Sequence, residues 1–202
     1  METTRYQVKV TFITELLGVV PKNPGVYATW VALKAAAQAD EEPPDVTEER
    51  SWTGFHSDDE KGLYLMDYMV KGFLKEAASV LPKVLGITKK SGESISGRTV
   101  KGRLDKWLFI MPRRIYLGHM KEAGCIERPL RASTLQGDRI ALARSDYVPA
   151  GTEIEFTIVL LKDCPITEEA LREWLSYGEL LGIGQFRTGG FGRLTFSMEK
   201  LS

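Results

Sequence analysis

The chain has 202 residues, 43% of them hydrophobic, and 27 Lys and Arg against 27 Asp and Glu give a formal net charge of zero. That length suits one large domain with a sizeable core, and the zero total excludes a uniformly basic nucleic-acid coat. Cys125 and Cys164 lack CxxC spacing, which argues against a zinc site or disulfide framework and for a reducing compartment. No apolar run approaches the roughly 20 residues that span a bilayer, and the N-terminus lacks a signal-peptide core, so the expected location is the cytoplasm, with no membrane partner.

The charge is unevenly spread. Residues 1–66 carry −5, residues 67–146 carry +8 and residues 147–202 carry −3. A local positive face is therefore available to a polyanion.

Tyr6, Val8, Val10 and Phe12 alternate with polar residues, the period-two signature of a strand with one buried face. Leu16-Leu17-Gly18 follows, and then Pro21 and Pro24 interrupt regular structure. An alanine-rich stretch from Val26 to Ala39 predicts a short helix, and Asp40 to Arg50 is an acidic loop with Pro43-Pro44. Residues 19–62 together are expected to leave the core as a thumb-like arm. Within them, Ser51-Trp52-Thr53-Gly54-Phe55-His56 suits either a base-stacking surface or a small satellite core.

Helical spacing of Met69/Val70, Phe73/Leu74 and Ala77/Ala78 predicts a helix with Asp67 as N-cap. Gly72 disfavours that helix by about 1 kcal/mol relative to alanine, so close packing or a ligand is the expected reason for it. Lys71 near the helix start suits either phosphate or solvent. The Lys- and Arg-rich residues 89–106 read as an exposed basic loop or hairpin, and Trp107 to Met111 as a buried strand. Arg113, Arg114, Arg128, Arg131, Arg139 and Arg144 then recur along successive segments, as a backbone-tracking stripe or as solvated strand faces. Glu153 to Leu161 alternates as a strand, expected to pair as a hairpin with Ile140–Ala143. Thr167 is the expected cap of a helix opening on Glu168 and Glu169.

The most distinctive stretch is Gly182-Ile183-Gly184-Gln185-Phe186-Arg187-Thr188-Gly189-Gly190-Phe191-Gly192-Arg193, between a helix and the closing strand Leu194 to Met198. Its order of elements and its spacing are neither those of a Walker loop nor those of a Rossmann loop. Its glycines can gather backbone amides around an anion while Arg187 and Arg193 add charge. A tight turn with Phe186 and Phe191 facing the core is the alternative.

The elements in order give a decorated βαββαβ plan: α+β, a ferredoxin-like or RRM-like antiparallel sheet backed by two helices, with the arm at 19–62, the basic loop at 89–106 and the C-terminal glycine-rich loop, all in one domain over 1–202. On four features the chain resembles the RAMP superfamily, the repeat-associated mysterious proteins of CRISPR systems, and in particular its guide-RNA backbone branch. Leu16-Leu17-Gly18 resembles the family's strand-then-Leu-x-x-Gly start. Gly62-Leu63-Tyr64 leading to Val70-Lys71-Gly72-Phe73-Leu74-Lys75 resembles its helix entry, although Asp67-Tyr68-Met69 stands where the family usually has Pro-Gly-Ser-Ser. Val148-Pro149-Ala150-Gly151-Thr152 before Glu153-Ile154-Glu155-Phe156 resembles its middle hairpin. Residues 182–193 resemble its glycine-rich loop.

The resemblance implies an RNA-binding subunit that coats a guide or other single strand by head-to-tail assembly, with copies of itself or other effector subunits as partners and a role in antiviral defence. RNA would contact Lys71, Gly72, Arg113, Arg114, Arg128, Arg131, Gln185, Phe186, Arg187, Thr188, Gly189, Gly190, Gly192 and Arg193. No metal site, cofactor or catalytic group is expected. Asp58 and Asp59 lack the flanks of the family's cleaving aspartate. An endoribonuclease using His56 or His119 is one alternative reading, and an interaction protein of a mobile element that mimics or blocks such a complex is another.

Overall fold

The computed structural model describes residues 2–22, 52–81, 97–134, 137–162 and 164–201, with the side chains of 97–100, 103 and 130–142 outside the description. The expected helix at Val26–Ala39 and the acidic loop at Asp40–Arg50 lie outside the described residues, as does most of the predicted arm.

The main sheet has four strands: β1 (Thr3–Phe12), β7 (Leu108–Met111), β11 (Glu153–Leu161) and β12 (Leu194–Leu201). They lie in the order β12-β1-β11-β7, every neighbouring pair antiparallel. Numbered along the chain, this is 4-1-3-2, the ferredoxin-like arrangement. Its register follows from the alternation in sequence. Val8 pairs with Phe156 and Met198, Val10 with Ile154, and the inward row Tyr6, Val8, Val10 and Phe12 is buried. A one-residue slip would turn that row to solvent, so the buried face enforces the pairing.

Helices α1 (Asp67–Val80) and α3 (Glu168–Ser176) back the sheet. Val70, Phe73, Leu74, Ala77 and Ala78 form the buried stripe of α1, and Ala170, Leu171, Trp174 and Leu175 that of α3. Full burial of each large apolar side chain contributes about 1.5–3 kcal/mol, so these rows and the strand row opposite them hold the layers together. Thr167 caps α3 as expected, its hydroxyl accepting from the Ala170 amide at 3.2 Å. Asp67 does not cap α1. The cap position is Met66, and the Asp67 carboxylate accepts from the adjacent Tyr68 amide while lying 3.7 Å from Arg113.

Two further differences from the sequence reading have clear causes. Residues 97–107 form a helix, α2, not a basic loop; residues 89–96 lie outside the description. Leu104 drives its buried face into the core, and Asp105 receives Lys75 at 2.6 Å, so its charges are spent partly on neutralising α1. The second difference concerns β11, which pairs with β1 and β7 and not with Ile140–Ala143. The turn at 149–152 is stitched to the end of β1, with Gly151 N donating to Phe12 O at 2.7 Å and Phe12 N to Thr152 O at 2.9 Å. That stitch delivers β11 to the flank of β1.

The strand before it, β10 (Gly137–Val148), belongs to a second sheet, where it pairs with β9 (Gly124–Thr134), β2 (Leu16–Leu17) and, in parallel, β4 (Trp52–Gly54). β3 (Val20–Pro21) lies antiparallel to β4, and Lys22 N donates to Trp52 O at 3.0 Å. The chain thus leaves at Lys22 and returns at Trp52 on neighbouring strands. β5 (His56–Asp58), β6 (Gly62–Met66) and β8 (Arg114–Tyr116) make a small third sheet.

Candidate nucleic-acid interface

The glycine-rich loop is built by close approaches. Gly192 has φ +69°, and a Cβ there would lie 1.8 Å from Ile183 O. Gly184 has φ +94° and would meet Leu17 O at 2.7 Å. Any other residue at Gly184 would push the loop off β2, and any other at Gly192 would force the two arms of the loop apart. Part of the expected nest of amides is taken by this packing. Ile183 N donates to Gly192 O, Gln185 N to Leu17 O, Gly189 N to Phe186 O, Gly190 N to Arg187 O and Gly192 N to Glu15 O. The Thr14 hydroxyl donates to Gly190 O and accepts from the Arg193 amide, while Arg193's side chain is exposed. The loop therefore offers side chains more than amides.

Those side chains open onto a groove between the loop and α1. Arg187 crosses it, its Nη1 lying 2.6 Å from Glu76 Oε2. On one side of this pair is a cleft of about 420 Å³ with His56, Tyr68, Met69, Gly72, Phe73 and Ile183 in its walls. On the other is a more polar hollow bounded by Thr53, Gln185, Phe186 and Thr188. Val19, Pro21, Glu76, Gly184 and Arg187 border both, so the two lie side by side.

Behind the polar end lies a buried network. Arg128, 9% exposed, donates from Nη1 to Ser145 Oγ at 3.1 Å, and Ser145 Oγ is 2.9 Å from Thr53 Oγ1. Gln185 is satisfied at both ends when its nitrogen donates to Thr53 Oγ1 at 2.9 Å and Gly18 O at 3.0 Å and its oxygen accepts from Arg128 Nη2 at 3.3 Å. Arg128 also stacks its guanidinium 4.7 Å from the Phe186 ring centre. Phe186 stands at φ +53°, a left-handed backbone unusual for a residue with a Cβ, and this stacking together with its contact with Phe191 holds it there. Burial pulls the Arg128 guanidinium below its ordinary value.

The predicted contact residues thus divide. Gly72, Gln185, Phe186, Arg187 and Thr188 converge on one groove. Lys71 does not join them. It is on the α2 side of α1, with Nζ 3.3 Å from Asp105 O and 5.1 Å from the Phe109 ring centre. Nor do the arginines make one stripe. Arg128 is buried in the second sheet, Arg113 stands beside Asp67, Arg114 lies 3.6 Å from Asp58 and over Tyr64 in the third sheet, and the Arg131 side chain lies outside the described residues. Glu76, Thr53 and Ser145 were missed. Glu76 had a signal, since Tyr68, Gly72 and Glu76 recur at four-residue spacing on one helical face.

His56 enters the cleft wall while stacking on Tyr64 with 5.4 Å between ring centres. Burial, and then the charge of Arg114, hold its imidazole below the usual value. Asp58 accepts from Tyr116 Oη at 2.5 Å and from the Lys61 amide, and the Tyr116 bond is the largest influence holding its carboxyl below the usual range. His119 Nε2 is 2.9 Å from Thr152 Oγ1. Among the described residues, no group of three or more His, Cys, Asp and Glu side chains could hold a metal ion, and no helix is long and apolar enough to cross a membrane.

The fold and groove define an α+β domain with a ferredoxin-like sheet and a glycine-loop groove on its helical side. Among solved structures, the chain is similar to one in the cryo-EM structure of the Type III-B Cmr-beta bound to cognate target RNA, with a TM-score of 0.52 and 11% identity. The match covers 100% of this chain and 61% of that one, so the present chain spans about three-fifths of its neighbour's length. At that identity the likeness is one of fold. No protein-family model matches the chain, and no curated protein matches it.

Proposed function

We propose that the protein is a non-catalytic RNA-binding subunit of RAMP type, which holds a guide or other single-stranded RNA along the groove between α1 and the glycine-rich loop and assembles head to tail with copies of itself or with other effector subunits. The observation that carries this reading is the convergence of Gln185, Phe186, Arg187 and Thr188 with Gly72 on one groove, in a fold shared with a chain of an RNA-bound Type III-B assembly. Arg187 is the group for a backbone phosphate. A guanidinium binds phosphate through two parallel N–H donors, and Glu76 holds it in place until the strand arrives.

Arg187→Glu tests this. It sets a carboxylate against Glu76, but both side chains are partly exposed, so the stability cost stays within about 1 kcal/mol. Affinity for a single-stranded RNA of about a dozen nucleotides is expected to fall tenfold or more in a filter-binding titration at about 0.1 M salt. Unchanged affinity would remove the groove from the RNA path. Lys71→Glu, by contrast, sets like charge against Asp105 and reads out on the α1–α2 contact.

A further inference from the structure

Gly72 is the anomaly from which a second step follows. It lies within α1, where glycine disfavours the helix by about 1 kcal/mol relative to alanine. Two ordinary reasons for a glycine are absent. Its φ is not in the left-handed region, and among the described residues a Cβ built on it meets no atom within 4 Å beyond its own stretch of helix. The space that it leaves open is the apolar cleft beside Arg187.

That cleft has a particular chemistry. Its volume of about 420 Å³ falls within the roughly 300–1,000 Å³ of sites for small organic groups. Met69, Phe73 and Ile183 are among its apolar lining residues, Tyr68 and His56 are its aromatic ones, and Glu76 and Arg187 are its charged ones. Arg187 and Glu76 already pair with each other, so His56 is the lining group whose polar edge an occupant has to match, and a flat heterocycle with hydrogen-bonding edges can do so where a long aliphatic group cannot. The imidazole, held toward its neutral form, has one donor and one acceptor nitrogen to offer such an edge. The polar hollow adjoins the cleft across Arg187 and Glu76, within reach of a ribose-phosphate chain connected to such a heterocycle.

We infer that the cleft is a nucleobase subsite: it receives one base unstacked from the RNA strand, and Gly72 is a glycine to let that base lie against α1. The inference rests on the RNA-binding reading above and assigns a ligand to a part of the groove that the phosphate contact does not use.

The test sets stability against binding. Gly72→Ala and Gly72→Leu place side-chain atoms in open space, so both are expected to melt no lower than the wild type, while Gly72→Leu binds a twelve-nucleotide single-stranded RNA about tenfold or more weakly, the scale of one lost base contact. On the wild type, a series of the same RNA with one abasic position moved along it should lose affinity at particular registers, and Gly72→Leu should be indifferent to those positions. An RNA bearing 4-thiouridine should crosslink, on the wild type, to peptides containing Tyr68–Phe73 or His56. Gly72→Leu binding as tightly as the wild type, or crosslinks that avoid those peptides, would overturn the base subsite. If Arg187→Glu still lost affinity in that case, the RNA-binding reading would stand without it. A wild type that bound no RNA would end both. Should Gly72→Leu melt low, the abasic series and the crosslinks on the wild type decide alone, and a flat abasic series there counts against the subsite.

Discussion

At the scale of single residues, the groove is assembled from side chains that each have a structural duty as well. Arg128 is buried among uncharged partners, Ser145, Gln185 and the Phe186 ring, and this placement fixes the strained backbone at Phe186. His56 likewise combines a stacking duty toward Tyr64 with a place in the cleft wall. Its depressed pKa makes a prediction with a definite sign. Because the folded value lies below the ordinary 6.5, the unfolded chain binds this proton first as pH falls, and the native state loses stability. The contribution is therefore complete above about pH 6.5 and declines as pH drops through that value toward the folded pKa. In urea titrations between pH 7.5 and 5.5, the wild-type midpoint should fall more than that of His56→Gln. Parallel curves for the two proteins would show that His56 does not contribute in this range.

At the scale of elements, α3 shows what local sequence can determine unaided. Thr167 is followed by Glu168 and Glu169 and by an apolar stripe, and the helix starts where those signals place it. Thr167→Ala should cost about 1 kcal/mol and lower the melting temperature by roughly 2–4 °C in a chain of this size. An unchanged melt would mean that another acceptor or water takes the Ala170 amide in place of the hydroxyl. β1 and β11 were legible for the same reason, since their period-two burial is written in their sequences. The strand expected as buried from Trp107 to Met111 differs: Trp107 ends α2, and β7 buries Leu108 and Ile110 while Phe109 and Met111 are exposed at the edge of the sheet. What escaped was long-range. Nothing local in Ile140–Ala143 tells that β10 joins another sheet, because the decision lies in the hydrogen bonds between Gly151, Thr152 and Phe12. The helix at 97–107 escaped because its apolar content is slight, with Leu104 as its buried anchor among many charges. The glycine loop was legible as a built feature, but local sequence did not tell that Leu17, Glu15 and the loop's own carbonyls take the amides of Ile183, Gln185, Gly189, Gly190 and Gly192. Lys71 and Gly72 are adjacent in sequence, yet the roughly 100° helical turn between them sends one to α2 and the other to the groove.

At the scale of the whole molecule, the strands on either side of the predicted arm decide which residues an assembly variant can remove. Trp52 to Asp58 belongs to strands: Trp52 Nε1 donates to Asp146 Oδ1 at 2.8 Å, Thr53 is in the polar network and His56 borders the cleft. Removing the whole predicted arm would therefore damage the groove, and the informative replacement is 24–50, exchanged for a short Gly/Ser linker between Lys22 and Trp52. We expect a folded protein with weakened but measurable binding to one short RNA, and loss of cooperative, length-dependent binding to a long one. Native mass measurement on both RNAs checks this. Equal stacking of the shortened and full-length chains on the long strand would show that 24–50 takes no part in assembly.

The backbone contact between Lys22 and Trp52 has a consequence for how such a chain changes over time. Two neighbouring strands fix the endpoints, so a change in the length of chain between them leaves the pairing of β3 with β4 in register. Where such a change only lengthens a closed loop, the entropic cost grows with the logarithm of its length, about 0.6 kcal/mol for each doubling. Insertions and deletions between these posts therefore spare that pairing, while those within β4 or β5 would distort the groove. Selection on this stretch can act on what it touches with little penalty from the fold, and it is the place where related chains are expected to diverge fastest in both length and composition.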